Sequence, residues 1–171
     1  ESLGVSGNTI QSYMDILEST FMIRTVKPYE INTKKRLVKS PKVYIRDSGI
    51  LHTLLEIESF NSLLGHSHFG QSFEGMCMEN ILSVAGNWKY SFYTTPSGAE
   101  IDLVLEKGKR KMAIEFKASK TPTVTRGFFT ALEDLNIKEA YIVAPVEESY
   151  ALKKDIKVVT LEKMIKEIKS L

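Results

Sequence analysis

One cysteine in 171 residues excludes an internal disulfide framework and suits a reducing compartment, so a cytoplasmic setting is expected. No apolar run approaches about 18 residues, and no basic stretch followed by an apolar one opens the sequence. Both absences argue against membrane insertion and secretion. A G-x-x-x-x-G-K-[S/T] phosphate loop is missing, so nothing in the chain would hydrolyse ATP. Internal repeats and low-complexity segments are also absent. Charge of one sign is scarce: 23 Lys and Arg against 21 Asp and Glu leave +2, so any nucleic-acid binding must come from local clustering. With 43% hydrophobic and 26% charged residues, the chain reads as globular, with room for one ordinary domain or a small one followed by a medium one.

What is present centres on one spacing: Asp102, twelve intervening residues, then Glu115-Phe116-Lys117. Period-2 alternation predicts a strand with Ile101, Leu103 and Leu105 on one face and Asp102 and Val104 on the other. A second strand would direct Ile114 and Phe116 one way and Glu115 and Lys117 the opposite way. Between them Lys107-Gly108-Lys109 is a glycine-centred turn that lets the strands pair as a hairpin. Such a hairpin can gather two carboxylates and an ammonium. Hard cations such as Mg²⁺ or Mn²⁺ take carboxylate oxygens, and a neighbouring lysine can orient water or stabilise phosphoryl charge. An unpaired carboxylate inside the apolar strand around Asp102 would cost several kcal/mol, which favours a site role over a surface one. Glu100, two residues earlier, faces the same side as Asp102 and is an accessory candidate.

The basic residues cluster. Lys34, Lys35, Arg36, Lys39, Lys42 and Arg46 occur with no acid among them, and Lys107, Lys109, Arg110 and Lys111 surround the hairpin turn. A solvated loop is the plain reading of such a run, and a phosphate-facing wing is the functional one. Upstream, Ser6 is expected to cap a helix from about residue 8 to 19 that buries Ile10, Tyr13, Met14, Leu17 and Phe21. Strands are expected at 21–26, 36–38 and 42–45, a short helix capped by Asp47 at 48–55, and a boundary at 61–69. Beyond it the order reads helix 70–85, strands at 89–94, at Asp102 and at Glu115, helix 124–135, strand 139–144, strand 157–159, and a final helix capped by Thr160. This gives an α/β mixed sheet flanked by helices. The stripe on the first of these helices is Phe73, Met76, Cys77, Asn80, Ile81 and Val84. His66 and His68 lack a third spaced ligand for zinc and read as loop. Cys77 reads as core, as do Trp88, Tyr90, Phe92 and Tyr93, for which base stacking is the alternative.

Four stretches taken together resemble a known family: Ser40–Gly49 (SPKVYIRDSG), Gly70–Glu74 (GQSFE), Gly98–Asp102 (GAEID) and Ile114–Lys117 (IEFK). The Asp102 segment resembles the PD-(D/E)xK nuclease superfamily, and the whole chain resembles the carboxy-terminal region of a prokaryotic AAA+ ATPase family carrying the DUF4143 domain. The resemblance implies a partial winged-helix unit at 1–60, inside which the chain begins, and a restriction-endonuclease-like domain at 61–171. It implies a Mg²⁺- or Mn²⁺-dependent nuclease acting on DNA, with Asp102, Glu115 and Lys117 catalytic. Asp102, Glu115, Glu74 and Glu100 would be the metal ligands, and Lys34, Lys35, Arg36, Lys39 and Lys42 would hold nucleic acid. The upstream ATPase module would be its partner, an oligomer is open, and no membrane is involved. Ile101 stands where the superfamily has proline, and no glutamine follows Lys117 on the next helix. A catalytically inactive DNA- or partner-binding module, or a purely structural part of an ATPase ring, are the alternative functions.

Overall fold

The computed structural model describes residues 4–30 and 40–171. Lys34, Lys35, Arg36, Lys39 and the strand expected at 36–38 lie outside the described residues. Helix α1 (Gly7–Ser19) starts where the Ser6 hydroxyl accepts a hydrogen bond from the Thr9 amide. Its apolar stripe does not behave as the periodicity predicts. Met14 is half-buried, whereas Ile10, Tyr13 and Leu17 are exposed and Phe21, just beyond, is 73% exposed. The helix rests on β1 (Ile23–Val26), so amphipathic spacing here lacks a second wall to bury it. β1 pairs antiparallel with β2 (Lys42–Ile45). Asp47 caps α2 (Ser48–Leu54) through the Ile50 amide. The expected boundary segment holds a short helix, α3 (Phe60–Leu64), because Ser59 caps the Ser62 amide.

Helix α4 (Phe69–Val84) leads into a six-stranded mixed sheet. β3 (Lys89–Thr94), β4 (Glu100–Lys107) and β5 (Arg110–Phe116) form an antiparallel meander. The β4–β5 loop places Gly108 at φ +61°, the left-handed conformation that a two-residue hairpin loop needs at its first position. Helix α5 (Arg126–Leu135), capped by Thr125, carries the chain to β6 (Ala140–Val143), which lies parallel to β5. β8 (Ile156–Val159) continues the parallel part, and α6 (Leu161–Lys169) is capped by Thr160. The sequence reading has no counterpart for β7 (Tyr150–Lys153), an edge strand antiparallel to β8. All four of its residues are exposed, so no apolar alternation marks it.

Two cores sandwich the sheet. On one face Cys77, Met78 and Ile81 of α4 and Met164 and Ile168 of α6 meet Leu103, Leu105, Met112 and Ile114. On the other, Phe128, Ala131 and Leu135 of α5 meet Tyr93, Ile101, Val104 and Ile142. The α4 stripe differs from its prediction at one turn: Asn80 is exposed and bonds back to the Met76 carbonyl, while Met78 is buried. Trp88, Phe92 and Tyr93 are core, and Tyr90 is exposed beside Arg24.

Strict alternation also fails in β4. Ser91 faces Val104 and Tyr93 faces Ile101, so two steps along β3 oppose three along β4. This β-bulge adds one residue at Asp102-Leu103. Ile101 and Val104 therefore pack on the α5 side, while Leu103 and Leu105 pack toward α4. The expectation of Ile101 and Leu103 on one face is thereby corrected.

Candidate active site

The bulge frees Asp102 from an ordinary place in the ladder. The β4–β5 register ends at Leu103 opposite Ile114, and the Phe116 amide donates instead to Asp102 Oδ2 at 3.1 Å. This bond ties the β4 carboxylate to β5, which bears Glu115 and is followed directly by Lys117. Asp102 is 7% exposed and Glu115 5%, yet both line an open cavity of about 910 Å³ with Glu74, Glu100, Lys42 and Lys117. The predicted acids and Lys117 thus converge on one pocket. Of the basic residues assigned to nucleic acid, Lys42 is described, and it too is in this pocket.

Lys42 does not face outward as part of a wing. Its ammonium lies 3.2 Å from Asp102, 3.3 Å from Glu74 and 3.3 Å from Glu100, so its three N–H donors match three carboxylates. Its Nζ also stands 5.5 Å from the centre of the Phe92 ring. Burial alone would lower the Lys42 pKa, but Asp102, Glu74 and Glu100 outweigh it and raise it. Tyr44, two residues on along β2, donates its hydroxyl to Glu74 at 2.5 Å. Burial and that carboxylate raise the phenol pKa, so Tyr44 stays a donor. Sequence reasoning missed Tyr44. The signal was available in the alternation Lys42-Val43-Tyr44, which puts both polar groups on one face of a strand.

Glu115 is the other pole. Its Oε1 accepts from Lys117 Nζ at 2.7 Å, and its Oε2 is buried with no hydrogen-bond partner. Burial, then the Asp102 charge, pushes Glu115 up to about 8 against the pull of Lys117. Burial and Asp102 likewise raise Glu74, opposed by Lys42 and Tyr44. Four carboxylates against two ammoniums leave two negative charges uncompensated if every group is ionised, in keeping with the upward shifts of Glu115 and Glu74.

These donors answer only in part to what a divalent cation needs. In kind they fit: all are hard oxygens, and Glu115 Oε2 is an orphaned buried acceptor. In position they do not fit an ion, since among the described residues no three His, Cys, Asp or Glu side chains form a metal-holding group. The point shared by Asp102, Glu74 and Glu100 is spanned by the Lys42 ammonium. Around the pocket, His52 bonds Ser72 at 2.6 Å and joins α2 to α4. The His66 and His68 rings lie 5.2 Å apart, tilted by 39°, and belong to no metal group among the described residues. Cys77 is fully buried, its thiol pushed up to about 12 by burial, as befits core.

An α/β protein with a charged pocket at a sheet bulge is the class so defined. The chain belongs to the DUF4143 family, a domain of unknown function, which its residues 69–164 match. Residues 1–61 match a second domain of unknown function, DUF8612. It is similar to uncharacterized proteins of Mycobacterium bovis and Mycobacterium tuberculosis, each 32% identical over 164 residues. That alignment covers 96% of this chain but 37% of each relative, so the chain spans little more than a third of their length. No solved structure matches it significantly. No helix among the described residues is long and apolar enough to cross a membrane.

Proposed function

We propose that this chain is the nuclease-like part of a larger protein and hydrolyses phosphodiester bonds in DNA with Mg²⁺ or Mn²⁺. The observation that carries the reading is the gathering of Asp102, Glu115 and Lys117 from two strands into one open cavity, with Asp102 pinned by the Phe116 amide. The order α4, three-stranded meander, α5 and parallel β6 supports a restriction-endonuclease-like core. Asp102 and Glu115 would hold the ion, with Glu74 and Glu100 beside them. When bound, it would neutralise phosphate charge and make water a competent nucleophile near neutral pH. Lys117 supplies an ammonium at the same edge. It would orient the water and balance charge on the phosphate oxygens as the new P–O bond forms and the bond to the leaving sugar oxygen breaks. The basic run Lys34, Lys35, Arg36 and Lys39 would grip backbone phosphates. A cytoplasmic AAA+ ATPase module upstream is the proposed partner.

The test is calorimetric titration of Mn²⁺ into wild type and Asp102→Ala, followed by cleavage of plasmid and oligonucleotide DNA. Saturable binding lost in Asp102→Ala, with turnover abolished in Lys117→Ala while Mn²⁺ binding persists, is the expected result. Wild-type cutting rates in Lys117→Ala would sink the mechanism. One observation favours a second reading: Lys42 already occupies the position between Glu74, Glu100 and Asp102. A catalytically inactive nuclease-fold module would then bind DNA or a partner, salt-sensitively and without need of divalent metal.

A further inference from the structure

We propose that the apolar face of α1, continued by Met22 and Ile50 and anchored by Phe21, is the docking surface for the rest of a longer polypeptide of which this chain is one part. The inference rests on the larger-protein half of the reading above and is independent of hydrolysis. None of the helices α1, α2 and α3 has a buried residue, whereas α4, α5 and α6 each bury part of a face. Large exposed apolar side chains among the described residues fall mostly between Val5 and Leu64, while residues 65–171 expose Tyr90, Tyr150, Leu152 and Leu171. On α1, Ile10, Tyr13 and Leu17 recur on one side at three- and four-residue steps, and Tyr13 is 59% exposed. Phe21 and Met22 then share an open hollow of about 400 Å³ with Ile50 of α2, which continues the surface from one helix to the next. A folded chain rarely leaves so much contiguous apolar surface in water unless something docks on it.

Phe21 supplies a second, independent observation. It follows α1 at φ +61°, where its amide reaches the Glu18 carbonyl at 3.1 Å and the Met22 amide reaches the Leu17 carbonyl at 2.9 Å. Glycine is the usual residue in this helix-closing turn, because a Cβ is strained there. Phenylalanine takes the strain and gains little burial in return. Its side chain is 73% exposed, with the Arg46 guanidinium 5.4 Å from the ring centre. A strained backbone that holds an aromatic ring out in solvent is the disposition of an interface anchor. The occupant follows from length and charge. The relatives match 96% of this chain over 37% of their own length, so nearly two-thirds of each is attached polypeptide beyond the match. Attached polypeptide meets such a face at an effective concentration on the order of millimolar, an advantage that a second copy in dilute solution lacks. Asp15 and Glu18 are the only charged residues of α1, so the docking segment is apolar with basic side chains at its margin.

The test is hydroxyl-radical footprinting, read by peptide mass spectrometry, on the 171-residue chain and on the full-length protein that contains it. Tyr13, Phe21 and Met22 are expected to label several-fold more slowly in the full-length protein, while Tyr150, exposed on β7, labels equally in both. Equal labelling of Tyr13, Phe21 and Met22 in the two proteins overturns the inference. Labelling of the 171-residue chain that falls to the full-length level as its concentration is raised also overturns it, since the occupant is then a second copy. A variant adds a second readout. Phe21→Gly removes the ring and suits the left-handed turn, so α1 keeps its end. In the full-length protein this variant is expected to raise Tyr13 and Met22 labelling several-fold, and unchanged labelling overturns Phe21 as the anchor. The fate of the inference separates from that of the hydrolase reading. Protection of the face in a full-length protein that cleaves no DNA keeps the docking surface and removes the nuclease. DNA cleavage by a full-length protein whose Tyr13, Phe21 and Met22 label as in the isolated chain does the reverse.

Discussion

Glu115 shows how a single residue sets the pH response of this protein. Its carboxyl is enclosed, shares its neighbourhood with Asp102, and is pushed up to about 8. The folded state therefore holds a proton more tightly than the unfolded chain. The stabilisation this brings is complete below the ordinary carboxylate range and is lost as pH rises through the folded value. In chelator, wild-type stability is expected to fall between about pH 5 and pH 8, with Glu74, also raised, acting in the same direction. Glu115→Gln keeps an acceptor for Lys117 and cannot ionise, so its urea midpoint should decline less over that range and exceed that of wild type at the alkaline end. Equal slopes for the two proteins would dismiss Glu115 as the source. The orphaned Oε2 has no sequence signature: alternation assigns a face to Glu115 but says nothing of what reaches that face.

At the scale of elements, two contacts position the site. The first lies between α5 and the β3–β4 turn. A Cβ on Gly127 would stand 2.0 Å from the Gly98 carbonyl oxygen, and Gly98 itself sits at φ +86°. Gly127→Ala must push backbone away from backbone, so a loss of about 3 kcal/mol is expected, with a lower Tm as the readout. A Tm unchanged from wild type would show that α5 can slide. The second contact is the clamp of Glu79 on α4, which receives Arg24 Nε at 2.6 Å and Arg46 Nε at 2.7 Å. It holds β1 and the end of β2 against the helix that carries Glu74. Half-buried and doubly bonded, it is expected to contribute about 1–2 kcal/mol, more than an exposed pair and less than a buried one. Glu79→Ala should lower the thermal midpoint and raise Lys42 reactivity toward acylating reagents. If Lys42 reactivity stays fixed, the clamp does not govern where β2 lies.

The whole molecule joins two stretches that match different families into one pocket, since Lys42 and Tyr44 come from the first 61 residues and the acids from the rest. Under the proposed function, DNA engagement would involve the segment of chain that also carries Lys42 into this pocket. The basic residues just before β2 are expected to supply a salt-dependent phosphate grip. Neutralising Lys35 and Arg36 together should weaken DNA binding on all sequences and reduce the log–log salt slope by roughly two phosphate contacts. Fluorescence anisotropy over a salt series measures both quantities. An unchanged slope would move the DNA-binding face elsewhere.

Much of this was written locally. Helix starts follow from Ser6, Asp47, Thr125 and Thr160, whose side chains accept amides within three residues of themselves. The β4–β5 hairpin follows from Gly108, and the closeness of Glu115 to Lys117 from their two-residue spacing on a strand. These features depend on φ, on hydrogen bonds between near neighbours and on period-2 geometry, all of which a short window of sequence specifies. The bulge at Asp102, the edge strand β7 and the turn of Lys42 inward depend on what lies across the sheet or across α4. The Lys42 cluster joins residues 32 to 60 positions apart, and its direction is set by which unlike charges packing leaves unserved. Local pattern made the acids and lysines available; long-range electrostatics inside the folded pocket decided which lysine faces which acid.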